Sequence, residues 1–392
     1  MTLLCNGIQP GCDGVGDYSR LLSHALSKLG HRCQLIAMND PLVNRETEFI
    51  SAGVDGDVRA LRLPMHMSWS KKELAAKSAV RTFDPDWISL QFVCYGFHQR
   101  GLPVGLSGRL IQVIQRRKLH LMFHELWIGE ADDYSICERV VGWLQKRIIL
   151  NMIRSLKPLL IHTTNPVYVG MLAESNVVAR ELPLFGNVAL NPDSGSSWFY
   201  EKIRGCGVEI DSRSRPSFLI AGCFGTIHPQ WSPEAVCEKL KLLADERGQR
   251  LLFLAFGKLG ASGEGTWDAM SLRCSVRAAF LKLGELTIPQ LSYVLQNLDL
   301  GVSASAWPLI GKSGTIAAML DHGLPVIVGR DEWHRRRGST PDPTPHPLIF
   351  RERTFLDDAR AGRFTKRHPH VALQDVVLRL VRELARVSNL VY

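Results

Sequence analysis

The chain has 392 residues, more than one hydrophobic core usually organises, so two domains are the expected arrangement. Hydrophobic residues make up 45% and aromatics 8%, and no segment is of low complexity, which excludes a largely disordered or fibrous protein. The net charge of +9 points to an anionic partner, and no apolar run approaches the ~20 residues that span a bilayer.

The opening MTLLCNGIQPGCDG has neither a basic leader region nor a long apolar stretch. The nine cysteines are scattered from Cys5 to Cys274 without a Cys-x-x-Cys pair. Both features fit a cytoplasmic protein with reduced thiols and no metal.

Short apolar runs then alternate with helical stretches. Strands are expected at Leu3–Cys5, Cys33–Met38, Trp87–Phe92, Leu119–Phe123 and Leu159–Thr163, with helices over Val15–Gly30 and Ser135–Lys157. Such alternation implies a parallel sheet covered on both faces. The stretch from Asn191 to Pro216 breaks it with Gly, Ser and Pro and marks a domain boundary.

A second α/β unit follows. Its first strand, Phe218–Ala221, leads into a glycine turn, Gly222-Cys223-Phe224-Gly225-Thr226. A helix over Pro233–Arg247, a strand at Leu251–Phe256 and a helix over Ile288–Asn297 come next, and residues 298–328 read as strand, loop, helix and strand. The expected fold is α/β, with Rossmann-like domains over 1–195 and 214–370 whose strand C-termini face each other across a ligand cleft. Residues 371–392 form a last helix with Val376, Val377, Leu380 and Leu384 on one face, left open to pack back on the N-terminal domain.

Two glycine loops are candidate anion sites. Gly311-Lys312-Ser313-Gly314-Thr315 sits where a loop becomes a helix, so backbone N–H groups and Lys312 together suit a phosphate. A Walker A loop would need glycine where Ala306 stands, and Trp307-Pro308 stiffens the approach. The plainer reading gives the glycines to a tight turn and Ser313 or Thr315 to the helix cap. In the N-terminal loop, Gly14-Val15-Gly16 with Ser19 approaches the dinucleotide fingerprint, with Asp40 as its ribose acid, but the loop is too long and its last glycine is missing.

Several runs together resemble GT-B glycosyltransferases, especially the family 4 retaining enzymes: Gly14–Ser19 with Leu29-Gly30-His31, Asp84–Ile88, His124-Glu125, Leu182–Val188, Gly284-Glu285-Leu286, Leu295–Leu300 with Ser303–Ser305, and Gly323–Ile327. Their order covers almost the whole chain. The resemblance implies sugar transfer from a UDP- or GDP-linked nucleotide diphosphate sugar to a glycan or lipid-linked acceptor held by the N-terminal domain, in the setting of cell-envelope polysaccharide biosynthesis. It implies no separate cofactor. Typical members carry two glutamates eight apart, and here Ile310 and Ala318 stand at those positions. The basic pair that usually follows the second domain's first glycine turn is also replaced, by Thr226-Ile227-His228, leaving Lys258 and Lys312 to neutralise a diphosphate.

The resulting site is His124 and Glu125 as catalytic residues and Gly14, Val15, Gly16, Gly225, Thr226, His228, Lys258, Lys312, Ser313, Gly314 and Thr315 on the donor. Pre-aimed N–H groups and lysine would stabilise the leaving diphosphate, a role that calls for no metal. His124 otherwise fills a core or caps a helix, Glu125 is an alternative base for an inverting enzyme, and His162 reads as a satisfied core histidine. The helix 135–157, with Trp143 among several Arg and Lys, suggests peripheral contact with an anionic membrane, or simply packs on its own domain. The ten basic residues from Arg330 to Arg367 suit phosphates or anionic lipid; no nucleic-acid module is readable, so nucleic acid is excluded. The competing function is a glycosyltransferase-like binding or scaffolding protein that has lost its acids.

Overall fold

The computed structural model describes residues 1–51, 57–191, 197–274, 278–331 and 333–389. The chain divides into two compact units, the first comprising Met1–Asn187, His334–Asp342 and the segment from Leu373, the second Val188–Trp333 and Pro343–Ala372. The division at Asn187 precedes the composition break at Asn191, and residues 192–196 of that break lie outside the described residues.

Unit 1 contains β1 (Thr2–Cys5), α1 (Gly14–Lys28), β2 (Gln34–Asp40), β3 (Thr47–Ser51), β4 (Val58–Pro64), α2 (Trp69–Phe83), β5 (Trp87–Phe92), the single turn α3 (Cys94–Phe97), α4 (Leu106–Ile114), β6 (Lys118–Phe123), α5 (Ile136–Leu156), β7 (Leu160–Thr163), α6 (Pro166–Ala173) and β8 (Arg180–Glu181). Its strands lie in the order β3-β4-β2-β1-β5-β6-β7-β8, with β3 alone antiparallel. β1, β2 and β5 are buried along their whole length, as strands covered on both faces must be.

Unit 2 contains α7 (Ser197–Gly205), β9 (Phe218–Phe224), α8 (Glu234–Glu246), β10 (Arg250–Phe256), α9 (Ala261–Cys274), β11 (Ala278–Gly284), α10 (Ile288–Asn297), β12 (Leu300–Ala306), a 3-10 helix (Trp307–Lys312), α11 (Gly314–Asp321), β13 (Val326–Arg330), β14 (Ile349–Arg351) and α12 (Phe355–Arg360). Its sheet runs β11-β10-β9-β12-β13-β14, all parallel. Finally α13 (Leu373–Asn389) returns to unit 1, where it packs beside α1 with Val376, Val377, Leu380 and Leu384 buried.

Three expectations need correction. The glycine turn after β9 starts at Gly225, not Gly222: β9 continues to Phe224, so Gly222 is a strand residue, where a Cβ would meet Leu298 Cδ1 at 2.4 Å. Within the supposed linker, α7 buries Phe199, Tyr200 and Ile203 in the unit 2 core; its apolar spacing outweighs the glycine and serine around it. The loop before α11 is a 3-10 helix, for which Pro308 near its start is well suited.

The basic stretch from Arg330 to Arg367 is also less open than its density suggests. Arg335 is buried between Glu174 and Glu130 in unit 1, with bonds of 2.7 and 3.1 Å. In unit 2, Arg360 pairs with Glu246, Arg363 with Asp358, and Lys366 donates to the carbonyls of Gln296 and Leu298. Four of the ten cations are thus engaged in holding local structure.

Candidate functional site

In an open α/β sheet, loops on either side of the point where strand order reverses part from one another and leave a crevice at the strand C-termini. The reversal lies between β1 and β5 in unit 1 and between β9 and β12 in unit 2. The two glycine loops follow β1 and β12.

In unit 2 the candidate residues converge from three neighbouring strands, β10, β9 and β12. Gly225, with φ of 79°, lies so near Thr315 that an added Cβ would stand 2.9 Å from its methyl group. The backbone N–H of Gly225 donates to the Phe256 carbonyl at 2.9 Å, which ties this turn to the end of β10, and the Thr226 hydroxyl reaches the Lys258 carbonyl at 3.5 Å. Lys258 itself is exposed and 3.7 Å from Glu285. His228 accepts from the Gln230 N–H through Nδ1 at 3.2 Å, so its neutral ring carries the proton on Nε2.

Ser313 caps α11: its hydroxyl accepts from the Ile316 N–H at 3.3 Å and lies 3.0 Å from the Thr315 hydroxyl. The cap therefore meets one of the first-turn donors, and Lys312 is exposed immediately before it. The plainer reading holds for Ser313, which is the cap, while Gly314 has nothing within 4 Å of an added Cβ. Further residues flank this end of the sheet, of which the sequence had not singled out Asp331. The Arg351 guanidinium stands 4.3 Å over the Trp307 ring. Asp331 follows β13, with Arg353 approaching at 3.7 Å, and burial raises its carboxyl above the ordinary range. Neither lies in a motif.

Ile310 and Ala318, at the two acid positions, are 5% and 0% exposed and belong to an apolar cluster with Ile316, Met319 and Leu324. The space is filled with hydrocarbon.

In unit 1, Asp13 caps α1 by accepting from Val15 N–H at 3.1 Å and takes the Asn6 amide at 2.6 Å. Gly16 is buried because helix and loop touch there: an added Cβ would lie 2.4 Å from the Gly7 carbonyl oxygen. Val15 is buried as well, so only Gly14 of the three residues is exposed. Asp40 is not a ribose ligand. It accepts from Arg62 at 2.8 and 3.0 Å and from the Ile8 N–H at 3.3 Å, fixing the loop to β4.

His124 stands just past β6, its ring edge-on to Tyr18 at 4.8 Å, and Tyr18 stacks on Phe185 at 4.5 Å. Its Nε2 lies 2.9 Å from Gln91 Oε1, and burial pushes its pKa down to about 3, so the ring is neutral. The Tyr18 hydroxyl and Asn6 Oδ1 are buried without a hydrogen-bond partner among the described residues, an arrangement that calls for a ligand or water. Glu125, half-buried, is on the loop that follows.

That loop is clamped by α5. The Ile128 N–H donates to Gln145 Oε1 at 3.0 Å, and a Cβ on Gly142 would stand 1.9 Å from the Ile128 carbonyl oxygen. Because both sides of that contact are backbone, Gly142→Ala is expected to cost about 2–3 kcal/mol, read as a lowered denaturant midpoint. A midpoint equal to the wild type would show that the loop yields freely. A pocket of about 360 Å³ also opens in unit 1, lined by Asn39, Trp69, Phe97, His98 and Arg100 near the ends of β2 and β5.

No known family's profile and no curated protein matches the sequence. Solved structures do match. HepE of Anabaena, in complex with UDP and glucose, is 14% identical with TM-score 0.51, over 99% of this chain and 98% of that one. WaaG, a glycosyltransferase involved in lipopolysaccharide biosynthesis, is 11% identical with TM-score 0.52, over 96% and 94%. A glycosyltransferase from Rickettsia africae is 12% identical with TM-score 0.52, over 100% and 98%. The chain has the GT-B glycosyltransferase fold, with two parallel-sheet domains.

Proposed function

We propose that the protein is a glycosyltransferase that moves a sugar from a nucleotide diphosphate sugar, UDP- or GDP-linked, to a glycan or lipid-linked acceptor. The observation that carries this reading is the meeting of Gly225 with Thr315 beside Lys312 at the strand reversal of unit 2. A diphosphate there would gain the open start of α11, the Lys312 charge and the His228 Nε2–H. As the glycosidic bond breaks, these groups would stabilise the charge on the departing diphosphate, so the chemistry calls for no metal. His124 and the Tyr18 hydroxyl would meet hydroxyl groups, and the pocket at Trp69 and Arg100 would take the acceptor. Membership of family 4 belongs to the same proposal.

Isothermal titration with UDP- and GDP-sugars, combined with an assay for slow donor hydrolysis, tests the reading. Failure of every nucleotide sugar to bind at millimolar concentration would overturn it. Lys312→Ala is expected to weaken donor binding by about tenfold or more, since a charge-assisted bond to phosphate is lost; unchanged affinity would remove Lys312 from the site.

The apolar packing of Ile310 and Ala318 favours a second reading, a binding or scaffolding protein on the same fold. Donor binding without hydrolysis or transfer would select it. The exposed stripe Ile136, Val140 and Trp143 on α5, with Arg147 over the Trp143 ring at 4.5 Å, supports peripheral contact with an anionic membrane from the cytoplasmic side. Vesicles of neutral and anionic lipid would separate that from a purely aqueous acceptor. Among the described residues no helix is long and apolar enough to cross a membrane.

A further inference from the structure

Ser89, Gln91, His120 and His162 are all 0% exposed, in the middle of a parallel sheet where apolar side chains are the rule. Strand register puts them on one face. Ser89 is paired with His120 across β5 and β6, Gln91 and Met122 follow two residues on, and Met122 is paired with His162 on β7. His124 continues the β6 series.

Their side chains form one unbroken line. His162 Nε2 lies 3.1 Å from Glu383 Oε2 on α13, His120 Nε2 lies 3.0 Å from His162 Nδ1, and Ser89 Oγ lies 2.8 Å from His120 Nδ1. Gln91 Nε2 donates to Ser89 Oγ at 2.7 Å, and Gln91 Oε1 meets His124 Nε2 at 2.9 Å.

The direction of every bond follows from one end. Burial disfavours the charge on Glu383, but hydrogen bonds from Arg180, His162 and Arg379 outweigh it and hold the carboxyl at about 2. A carboxylate only accepts. His162 therefore donates from Nε2, and with its own pKa lowered by burial it accepts on Nδ1. His120 must then donate from Nε2 and accept the Ser89 hydroxyl on Nδ1. The Ser89 oxygen takes the Gln91 amide, the Gln91 carbonyl faces His124, and His124 is left with its proton on Nε2. An amide in the line does not pass protons readily, so the line orients groups instead of conducting.

We propose that Glu383 is a positioning residue: through His162, His120, Ser89 and Gln91 it holds His124 as the Nε2–H tautomer, so that Nδ1 is offered as a hydrogen-bond acceptor to a donor hydroxyl. That the hydroxyl belongs to a sugar rests on the function proposed above. The tautomer does not.

The test is nitrogen NMR of the full chain labelled with 15N-histidine at pH 7.5, with His124 assigned by the loss of its signals in His124→Gln. The expected wild-type pattern is a protonated Nε2 and an unprotonated Nδ1. Glu383→Leu removes the terminal acceptor and should collapse the separation of the two ring signals into an averaged pair. Glu383→Gln, whose carbonyl can still accept from His162, should restore it. Gln91→Leu cuts the last link and should also collapse the separation, which keeps the test open should Glu383→Leu not fold. Val377→Ala loosens the same helix without touching the line and should leave the spectrum unchanged.

A protonated Nδ1 in the wild type would overturn the proposal. So would an unchanged spectrum in Glu383→Leu or Gln91→Leu, or a change in Val377→Ala as large as theirs. Absence of nucleotide-sugar binding in the same preparation would instead overturn the transferase reading and leave the tautomer result standing.

Discussion

Ala318→Glu, which puts back one acid that the resembling transferases carry, is expected to destabilise unit 2 by roughly 4 kcal/mol and to confer no gain in donor binding. Ala318 has no exposed surface, and its neighbours in the cluster are hydrocarbon: Ile310, Ile316, Met319, Leu324 and Val326. A carboxylate there would have to stay protonated or force the start of α11 outward, which would also displace the Ser313 cap. Denaturant unfolding followed together with titration of a nucleotide sugar checks both halves. Wild-type stability with tighter donor binding would mean that α11 accommodates the acid toward solvent, and the account of a filled site would fail. The replacement of the two acids is thus a change of packing, and a single reversion does not undo it.

Acidification from pH 7 to pH 5 is expected to withdraw about 2 kcal/mol of stability through His124 alone. The unfolded ring titrates near 6.5, while burial holds the folded one at about 3. Between those values the unfolded chain binds the extra proton, so stability is whole above pH 6.5 and falls by about 1.4 kcal/mol per unit as pH drops, until the folded pKa is reached. Over the 1.5 units from 6.5 to 5 this amounts to about 2 kcal/mol. His120 and His162 are shifted in the same direction, also chiefly by burial, and add to the slope. Glu383 does not contribute in this window, because its depressed carboxyl loses stability only as pH falls from about 4.5 toward 2. His124→Gln, which keeps a donor toward Gln91, should reduce the slope by about one proton. An identical pH dependence in wild type and variant would show that His124 is protonated without opening the core.

The strands that position the site were legible where an apolar run is bounded by turn residues, as in Trp87–Phe92 and Val326–Arg330. The Ser313 cap was legible for the same local reason. What sequence reading missed depends on partners far along the chain. Asp40 resembles a ribose acid until Arg62 is placed against it, and His162 is the satisfied core histidine expected, yet the acid that satisfies it, Glu383, lies 221 positions away. The basic stretch after Arg330 looked like a surface patch because Glu130, Glu174 and Glu246, which pair with it, precede it by more than 80 residues. Periodicity carries local structure; it holds no record of which distant acid a given arginine will meet. Ile310 and Ala318 stood out only by comparison with a motif, and their burial shows why the positions are apolar.

The return of α13 to the first unit has a consequence during synthesis. Unit 2 is drawn entirely from the interior of the chain, whereas unit 1 needs Arg335 against Glu174 and the apolar face of α13 beside α1 before its structure is complete. On a ribosome the domain begun first is therefore the one finished last. Until residues 373–389 emerge, the surface that receives Val377 and Leu380 stays open, and His162 waits inside a nearly complete sheet for the carboxylate that gives it a direction. Order of manufacture and order of completion run opposite to each other in this chain.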